Sequence, residues 1–239
     1  MQAMVGTQHE APNKTARTAG LLYLVGSVAG VFGILYGPSL VVPGDATATT
    51  QNILTSESLF RLSIASALLC QILFIFVALA LYQLLKVVNQ TLAWLMVIFM
   101  LVSIPIAMLN ELNNVAILFL LSGAASLNVF TADQLHALVP LFLDLHAYGL
   151  DISFLVGALW FFPMGYVVFT SGFLPRILAV LLAINGLAYL IDSFAAMLVP
   201  DLNLNVVMYT GWVEVLFAVW LLIRGVNVEH WETRARAAA

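Results

Sequence analysis

The sequence has 239 residues, of which 63% are hydrophobic and 8% are charged, with a formal net charge of −4. Soluble domains carry about 25% charged residues, so this composition excludes an ordinary soluble domain and favours a chain that lies in the lipid bilayer. The sequence has no basic stripe with interleaved aromatic residues, so nucleic acid is not a predicted partner, and its single cysteine excludes an internal disulfide.

Six membrane-spanning helices are predicted in chain order. The first covers about residues 18–36 and is interpreted as an anchored helix, because no convincing signal-peptide cleavage site follows it. In the connector after it, Asp45 is placed to cap a short helix. The second span covers about residues 58–86. The third starts near Gln90, meets the polar segment NELNN at 110–114, and resumes with VAILFLLSG.

The fourth span is unusually long. It begins after Thr131, where TADQ has the spacing of a capping box, and it continues to about Thr170. A helix of about 40 residues would measure roughly 60 Å, twice the thickness of the hydrocarbon core. Because tilt alone cannot absorb this excess, we expect the helix to protrude from the membrane or to break, with Pro140 and Gly149 as the bend points.

The last two spans complete an even number of crossings. The fifth follows Pro175 and ends near Leu198, and the sixth covers about residues 205–226. Seven of the eight basic residues then lie on one side of the membrane, and only Arg61 lies on the other. The positive-inside rule therefore predicts that both termini are cytoplasmic.

The domain organisation follows from these spans. We expect a cytoplasmic tail over residues 1–16, a six-helix transmembrane domain over 17–226, and a second cytoplasmic tail over 227–239. The over-long helices and the connector at 38–57 are expected to cap the outer face.

Polar residues recur in the outer and middle parts of these spans. An ionised acid at the centre of a membrane helix costs on the order of 2.5–3.5 kcal/mol, so several unpaired carboxylates would destabilise a small bundle. We therefore expect a polar cavity that is open to the outside and binds a small cation, a proton or a polar small molecule. Its candidate ligand-binding residues are Arg61, Asn110, Glu111, Asn114, Asp144, His146, Asp151, Asp192 and Glu214.

Helical periodicity assigns some of these residues to faces. Asp144 and Asp151 are seven residues apart and share a face of the fourth span, whereas His146 is rotated by about 160° from Asp144 and should face another neighbour. Asn110 and Asn114 are four residues apart and also share a face.

Simpler interpretations stay open for the same residues. Buried acids can hold helices together by hydrogen bonds, Asp192 can cap a helix end, and Arg61 can pair with Glu57 four residues earlier. The polar layer would then be the packing of a structural or accessory subunit.

A metal-dependent intramembrane enzyme is a further alternative. His136, Asp144 and Asp151 are its weak candidate ligands, with Glu111 or Asp192 completing the set. The sequence contains no HExxH, GxSxG or GxxxxGK motif, so no catalytic residue or cofactor is identified and the balance leans against an enzyme.

Several segments resemble one known family. VVPGD (41–45), SESLFRLSIAS (56–66), LNELNN (109–114), LFLDLHAYG (141–149), SGFLPRILAVLL (171–182) and YLIDSF (189–194) are similar to the bacterial family Domain of unknown function (DUF) 4386. The resemblance implies a multi-pass protein of the bacterial cell membrane and no particular activity. An all-α bundle in the bilayer is the expected fold, and a homo-oligomer is compatible with it.

Overall fold

The structure is a computed structural model that describes residues 2–199, 202 and 204–238, with side chains from residue 12 onward. Met1 and Ala239, at the ends of the predicted tails, lie outside the described residues. The described chain is helical, with no strands, and one short 3₁₀ turn covers Ala125–Leu127. The α-helices are α1 (Gln2–Ser39), α2 (Ala46–Thr55), α3 (Glu57–Leu85), α4 (Gln90–Asn110), α5 (Leu112–Leu120), α6 (Ala132–Ala158), α7 (Phe161–Ser171), α8 (Arg176–Leu198), α9 (Val207–Thr210), α10 (Trp212–Ile223) and α11 (Val228–Ala237).

Five helical stretches are long and apolar enough to cross a membrane. They are Pro12–Ser39, Glu57–Leu85, Gln90–Leu120, Ala132–Ser171 and Arg176–Leu198. A sixth is counted if the bent pair Val207–Ile223 and Val228–Ala237 forms one span, although the two parts meet at 93°. The prediction of a helical membrane protein is thereby confirmed, with five to six candidate spans.

Two predicted helix caps are present. The Asp45 carboxylate accepts a hydrogen bond from Ala48 N at 2.8 Å and caps α2. Thr131 and Gln134 form the predicted capping box at the start of α6. These caps satisfy backbone N–H groups that have no partner within the first helical turn.

The predicted break in the fourth span is at the wrong place. α6 is continuous through Pro140 and Gly149, and the interruption lies between α6 and α7 at Leu159 and Trp160. There the backbone N–H groups of these two residues donate to Val156 O and Gly157 O, three residues back. This tightening to a 3₁₀ pattern is a known way for a helix to change direction.

The long helices pack as a closed ring. α1 lies between α3 and α10, α3 contacts α4, α4 contacts α6 and α7, and these contact α8, which returns to α10. Trp160 and Tyr23 are almost fully buried at its centre, with their ring centroids 6.0 Å apart. Aromatic pairs of this kind add to the stabilisation from buried apolar area.

One end of the bundle gathers chain segments that are far apart in sequence. The Asn13 side chain accepts a hydrogen bond from Val226 N, Phe173 O accepts one from Asn227 N, and Leu84 O accepts one from the Trp231 ring. The start of the α1 span and the start of α11 therefore lie at the same end, as an even number of passes requires. We call it the basic end, after Lys14, Arg17, Lys86, Arg176, Arg224, Arg234 and Arg236.

A second apolar cluster lies toward the opposite end. It joins Ile53 of α2, Phe60 and Ile64 of α3, Ile117 of α5 and Val139 of α6. This packing attaches the short helix α2 to the part of α6 that follows its N-terminus, and it makes the connector after α1 an ordered part of the fold.

Candidate functional site

Glu214 accepts three hydrogen bonds inside the ring of helices. Its Oε2 atom accepts from the Tyr23 hydroxyl at 2.8 Å, and its Oε1 atom accepts from Tyr189 at 3.0 Å and from Asn185 Nδ2 at 3.1 Å. Thr210 in turn donates to Asn185 Oδ1 at 2.8 Å. We call these five residues the Glu214 cluster.

Three helices and the α9 turn supply this cluster. Asn185 and Tyr189 are four residues apart in α8, so both point from one face toward α10, which carries Glu214. Tyr23 comes from α1, and its ring is held by Phe74, Trp160 and Phe217. Since its ring is fixed by this packing, the Tyr23 hydroxyl is preorganised to donate to the carboxylate.

The Glu214 cluster lies about midway along the candidate spans. Counting from the basic end at 1.5 Å per residue, Glu214 is about 14 Å from the end of α10, and Asn185 is about 14 Å from the start of α8. Tyr23 is about 16 Å from Pro12, where the first candidate span begins. The middle of a hydrocarbon core about 30 Å thick is 15 Å from its edge.

The donors to Glu214 define what the cluster can do. Two tyrosine hydroxyls and one amide are neutral groups, so the described hydrogen bonds bring no opposite charge to the carboxyl group. The described partners therefore stabilise the carboxyl group through dipoles and not through an opposite charge.

A second group of polar residues joins α4 and α5 to α6. Glu111 lies at the interruption between α4 and α5 and is 5% exposed. Its Oε1 atom is 3.1 Å from Nε2 of His146, and its Oε2 atom accepts from Asn114 Nδ2 at 2.9 Å. Asn110 Nδ2 donates to His146 O at 2.8 Å, and Asn113 donates to Asn110. We call these residues the Glu111 cluster.

Gly149 allows this second cluster to form. A Cβ atom at Gly149 would overlap the Asn110 side chain, so α4 and α6 approach closely only because this residue has no side chain. One turn further along α6, the Ser153 hydroxyl donates to Ser103 O at 3.2 Å. Gly149 was predicted to be a bend point, and its role is instead this close helix contact.

The two clusters lie at different depths. Glu111 is about 32 Å along the helix from Gln90, and His146 is about 38 Å along the helix from Ser171. Both distances place the Glu111 cluster at the far boundary of a 30 Å hydrocarbon core or beyond it. The structure thus divides the predicted layer of acids into separate places.

Asp192 holds the segment that leads into α9. Its two carboxylate oxygens accept from Val206 N and Val207 N, each at 2.8 Å. Asp192 therefore caps the start of α9, in agreement with the helix-capping interpretation of this residue. Asp151 of α6 is half-buried and lies within electrostatic range of Asp192.

Two of the predicted ligand-binding residues lie on the surface of the bundle. Asp144 is exposed, although it shares a helix with the buried His146, as the predicted difference in their faces requires. Arg61 is exposed and pairs with Glu57 at 2.7 Å, as the simpler interpretation proposed. It borders a shallow groove of about 380 Å³ whose other walls are Ile64, Val115, Leu118, Phe119 and Ser122.

The metal alternative gains no support from the described residues. Among them, no group of three or more His, Cys, Asp or Glu side chains could hold a metal ion. His136, Asp144 and Asp151 are therefore not brought together as ligands. The buried Nδ1 atom of His136 has no hydrogen-bond partner among the described residues.

Sequence reasoning missed most of the Glu214 cluster. It selected Glu214 alone and passed over its partners Tyr23, Asn185, Tyr189 and Thr210. A signal was present in the fifth span, because Asn185, Tyr189 and Asp192 recur at intervals of four and three residues in an otherwise apolar segment. The sequence did not show which helix packs against this face of the fifth span.

Comparisons with known proteins place the chain in one family. The model of the family described as Domain of unknown function (DUF4386) matches residues 18–225, nearly the whole chain. An "Uncharacterized protein" of Archaeoglobus fulgidus is 34% identical over 76 residues, which are 32% of this chain and 46% of the relative. The match thus spans about half the length of that relative. No solved structure matches the chain significantly.

Proposed function

The chain belongs to the Domain of unknown function (DUF4386) family, and from that premise we propose that it is a membrane protein that binds and relays protons through Glu214. The observation that carries this proposal is the half-buried side chain of Glu214 within the ring of helices, whose carboxyl group has only neutral hydrogen-bond donors in the described structure. Ionisable residues inside a membrane bundle commonly mark proton or ion pathways.

The two tyrosines suit Glu214 to this role. Each hydroxyl is both a donor and an acceptor, so Tyr23 and Tyr189 can reorient when the carboxyl group gains or loses a proton. Asn185 cannot exchange a proton in this way, and its bond to Thr210 keeps its amide oriented toward Glu214. The proton relay therefore uses Glu214 with Tyr189 and Tyr23, while Asn185 positions the carboxyl group.

The topology completes the proposal. Six crossings with cytoplasmic termini would place the basic end in the cytoplasm and the end that carries α2 outside, as the positive-inside rule requires. The proposed location is the inner membrane of a bacterial cell. Glu111 and His146 would then lie near the outer boundary of the membrane.

Proton flux into liposomes tests the proposal. We expect reconstituted protein to acidify the lumen, reported by an enclosed pH-sensitive dye, when a potassium diffusion potential is applied. The Glu214→Gln variant keeps the shape of the side chain but cannot release a proton, so the flux should fall at least about tenfold. Tyr189→Phe should reduce the flux less.

The control is Glu57→Gln, which removes an exposed carboxylate at the end of the bundle opposite the basic end. This variant should retain the flux of the unmodified protein. Equal fluxes in the Glu214→Gln variant and the unmodified protein would overturn the proposal, provided that both elute as folded protein in detergent. A flux of sodium or potassium that depends on Glu214, with no proton flux, would instead assign the site to a small cation.

A structural or accessory role is the second candidate, because the Glu111 cluster supports it. Asn110 and His146 join α4 to α6 through a buried backbone contact, and Gly149 fits the same contact. If the polar residues serve packing alone, each polar-to-apolar change will lower the stability of the protein and no variant will alter a proton flux.

A further inference from the structure

Two arginines are held against the last turn of α7 at the basic end. The guanidinium of Arg176 lies over the ring of Phe169, 5.4 Å from its centroid. The guanidinium of Arg234 donates from Nη2 to the carbonyl oxygen of Thr170 at 2.9 Å. Because Phe169 and Thr170 are consecutive, both positive charges are positioned at the same corner of the bundle.

The fold determines the position of Arg234, although this residue is only five positions before the last residue of the sequence. The chain turns by 93° between α10 and α11, so α11 lies across the basic end. Asn227 N donates to Phe173 O at 3.1 Å, and Nδ1 of His230 is 2.9 Å from Gly172 O. The Trp231 ring donates to Leu84 O at 2.9 Å.

Apolar side chains continue from this corner along the outside of the bundle. Tyr166 and Phe169 of α7 are 58% and 44% exposed, and Ile177 of α8 is 62% exposed. Residues this apolar on the outside of a membrane bundle face lipid chains. The corner therefore combines a positively charged end with an apolar side. This combination is complementary to an amphipathic anion.

Most of the surrounding charges are positive. Seven of the eight basic residues of the chain belong to the basic end. The described acidic side chains of α11 are Glu229 and Glu232, and Glu232 already pairs with Arg236 at 3.4 Å. The field at this corner therefore favours an anion.

We propose that Arg176 and Arg234 bind the phosphate diester of an anionic phospholipid, whose acyl chains lie along Tyr166, Phe169 and Ile177. Each guanidinium carries five N–H donors in a planar fork, and the one described hydrogen bond of Arg234 leaves donors for a phosphate. Bonds between guanidinium and phosphate groups are charge-assisted and often bidentate. The site is separate from the proton relay, because it lies at the basic end, whereas Glu214 is about 14 Å along α10 from that end.

Native mass spectrometry of the full chain tests this site. Delipidated protein is titrated with phosphatidylglycerol, which is anionic, and with phosphatidylcholine, which has no net charge. A basic residue near a membrane surface contributes enough binding energy for about a fivefold change in affinity, so Arg176→Gln and Arg234→Gln should each weaken phosphatidylglycerol binding about fivefold. The double variant should bind about 25-fold more weakly, if the two arginines act independently.

Two controls identify the ligand and the place. Arg61→Gln removes the basic residue at the opposite end and should leave phosphatidylglycerol binding unchanged. Arg176→Lys keeps the charge but loses the planar fork, and its affinity should lie between those of the unmodified protein and Arg176→Gln. Glycerol phosphate, which has the phosphate without acyl chains, should bind far more weakly than the lipid.

Three results would overturn the proposal. The first is unchanged phosphatidylglycerol binding in the double variant. The second is equal binding of phosphatidylcholine and phosphatidylglycerol by the unmodified protein. The third is glycerol phosphate binding as tightly as the lipid. If the double variant does not fold, Arg176→Gln decides alone, because its described contact is with an exposed ring and not with the backbone.

Discussion

The Glu214 cluster and the Glu111 cluster each hold one carboxyl group between helices, half-buried in the first and buried in the second, and the hydrogen-bond partners of the two carboxyl groups differ. Glu214 receives its described hydrogen bonds from neutral hydroxyl and amide groups, about midway along the candidate spans. Glu111 lies at a helix interruption near the bilayer boundary, and one of its oxygens faces the imidazole of His146. A buried acid without a titratable base must rely on fixed dipoles or on a proton, whereas an acid beside a histidine can share charge with it.

The two clusters depend on different parts of the fold. The Glu214 cluster connects side chains to side chains across three helices. The Glu111 cluster includes a bond from Asn110 to the backbone of α6, and it requires the absence of a side chain at Gly149. Variants can therefore disturb one cluster while leaving the other intact.

Gly149→Ala should have the largest effect on stability. The added Cβ atom would overlap the Asn110 side chain, so this side chain must move and lose its bond to His146 O, or α4 and α6 must separate. Overpacking of this kind costs about 1–3 kcal/mol. Unfolding of the purified protein in mixed micelles measures the free energy difference, and we expect a loss near the upper value. Gly157→Ala is a matched control on the same helix, because its added Cβ atom would be 3.4 Å from Ser103 Oγ. Equal losses for the two variants would contradict the close contact.

Asn185→Leu should break the Glu214 cluster. This asparagine is fully buried, and its loss leaves both Glu214 and Thr210 without one partner, at a cost of about 2 kcal/mol. The same unfolding measurement applies. Thr210→Val should be harmful in the unmodified protein and nearly neutral in the Asn185→Leu background, because the described hydrogen bond of Thr210 goes to Asn185. Independent effects of the two substitutions would show that they do not share a network.

Glu111→Gln and His146→Gln should be coupled to each other. Because their side chains are in direct contact, we expect a double-mutant cycle to give a coupling of about 1 kcal/mol. The matched control pairs His146→Gln with Glu214→Gln, whose effects should add within about 0.5 kcal/mol because the two residues belong to separate clusters. Strong coupling in the control cycle would mean that the two clusters form one network after all.

Arg61→Gln should have the smallest effect. The pair with Glu57 is exposed, and exposed ion pairs contribute less than about 1 kcal/mol. We expect a change within about 0.5 kcal/mol, measured in the same micelles, and a similar value for Glu57→Gln. A loss comparable to that of Asn185→Leu would show that Arg61 has a role beyond its pair with Glu57.

The sequence was sufficient to predict most helices and some of their ends. The apolar runs predicted the membrane spans, TADQ predicted the capping box of α6, and Asp45 predicted the cap of α2. These features depend on residues that are neighbours in the chain. The apolar runs are also long enough to be recognised as membrane spans. The interruption at Trp160 was missed because Gly157 and Pro163, which flank it, were not singled out, and Pro140 was accommodated within α6.

The candidate site was predicted only in part for the same reason. Glu111, His146, Asn110 and Asn114 were all selected, and the structure brings them together. Asp144, Asp192 and Arg61 were selected on their chemistry as well, but they lie on the surface or cap a helix. Tyr23 was not selected, because a tyrosine in an apolar span has no distinguishing local pattern.

The sequence by itself determined that this chain is a helical membrane protein with acids inside its spans, because hydropathy and residue charge are local properties. Only the tertiary structure decided which helices are neighbours. It therefore decided that Glu214 meets two tyrosines and that Glu111 meets a histidine. Helix neighbours depend on small differences in surface shape, such as the space at Gly149, and these differences become visible only when the helices are packed.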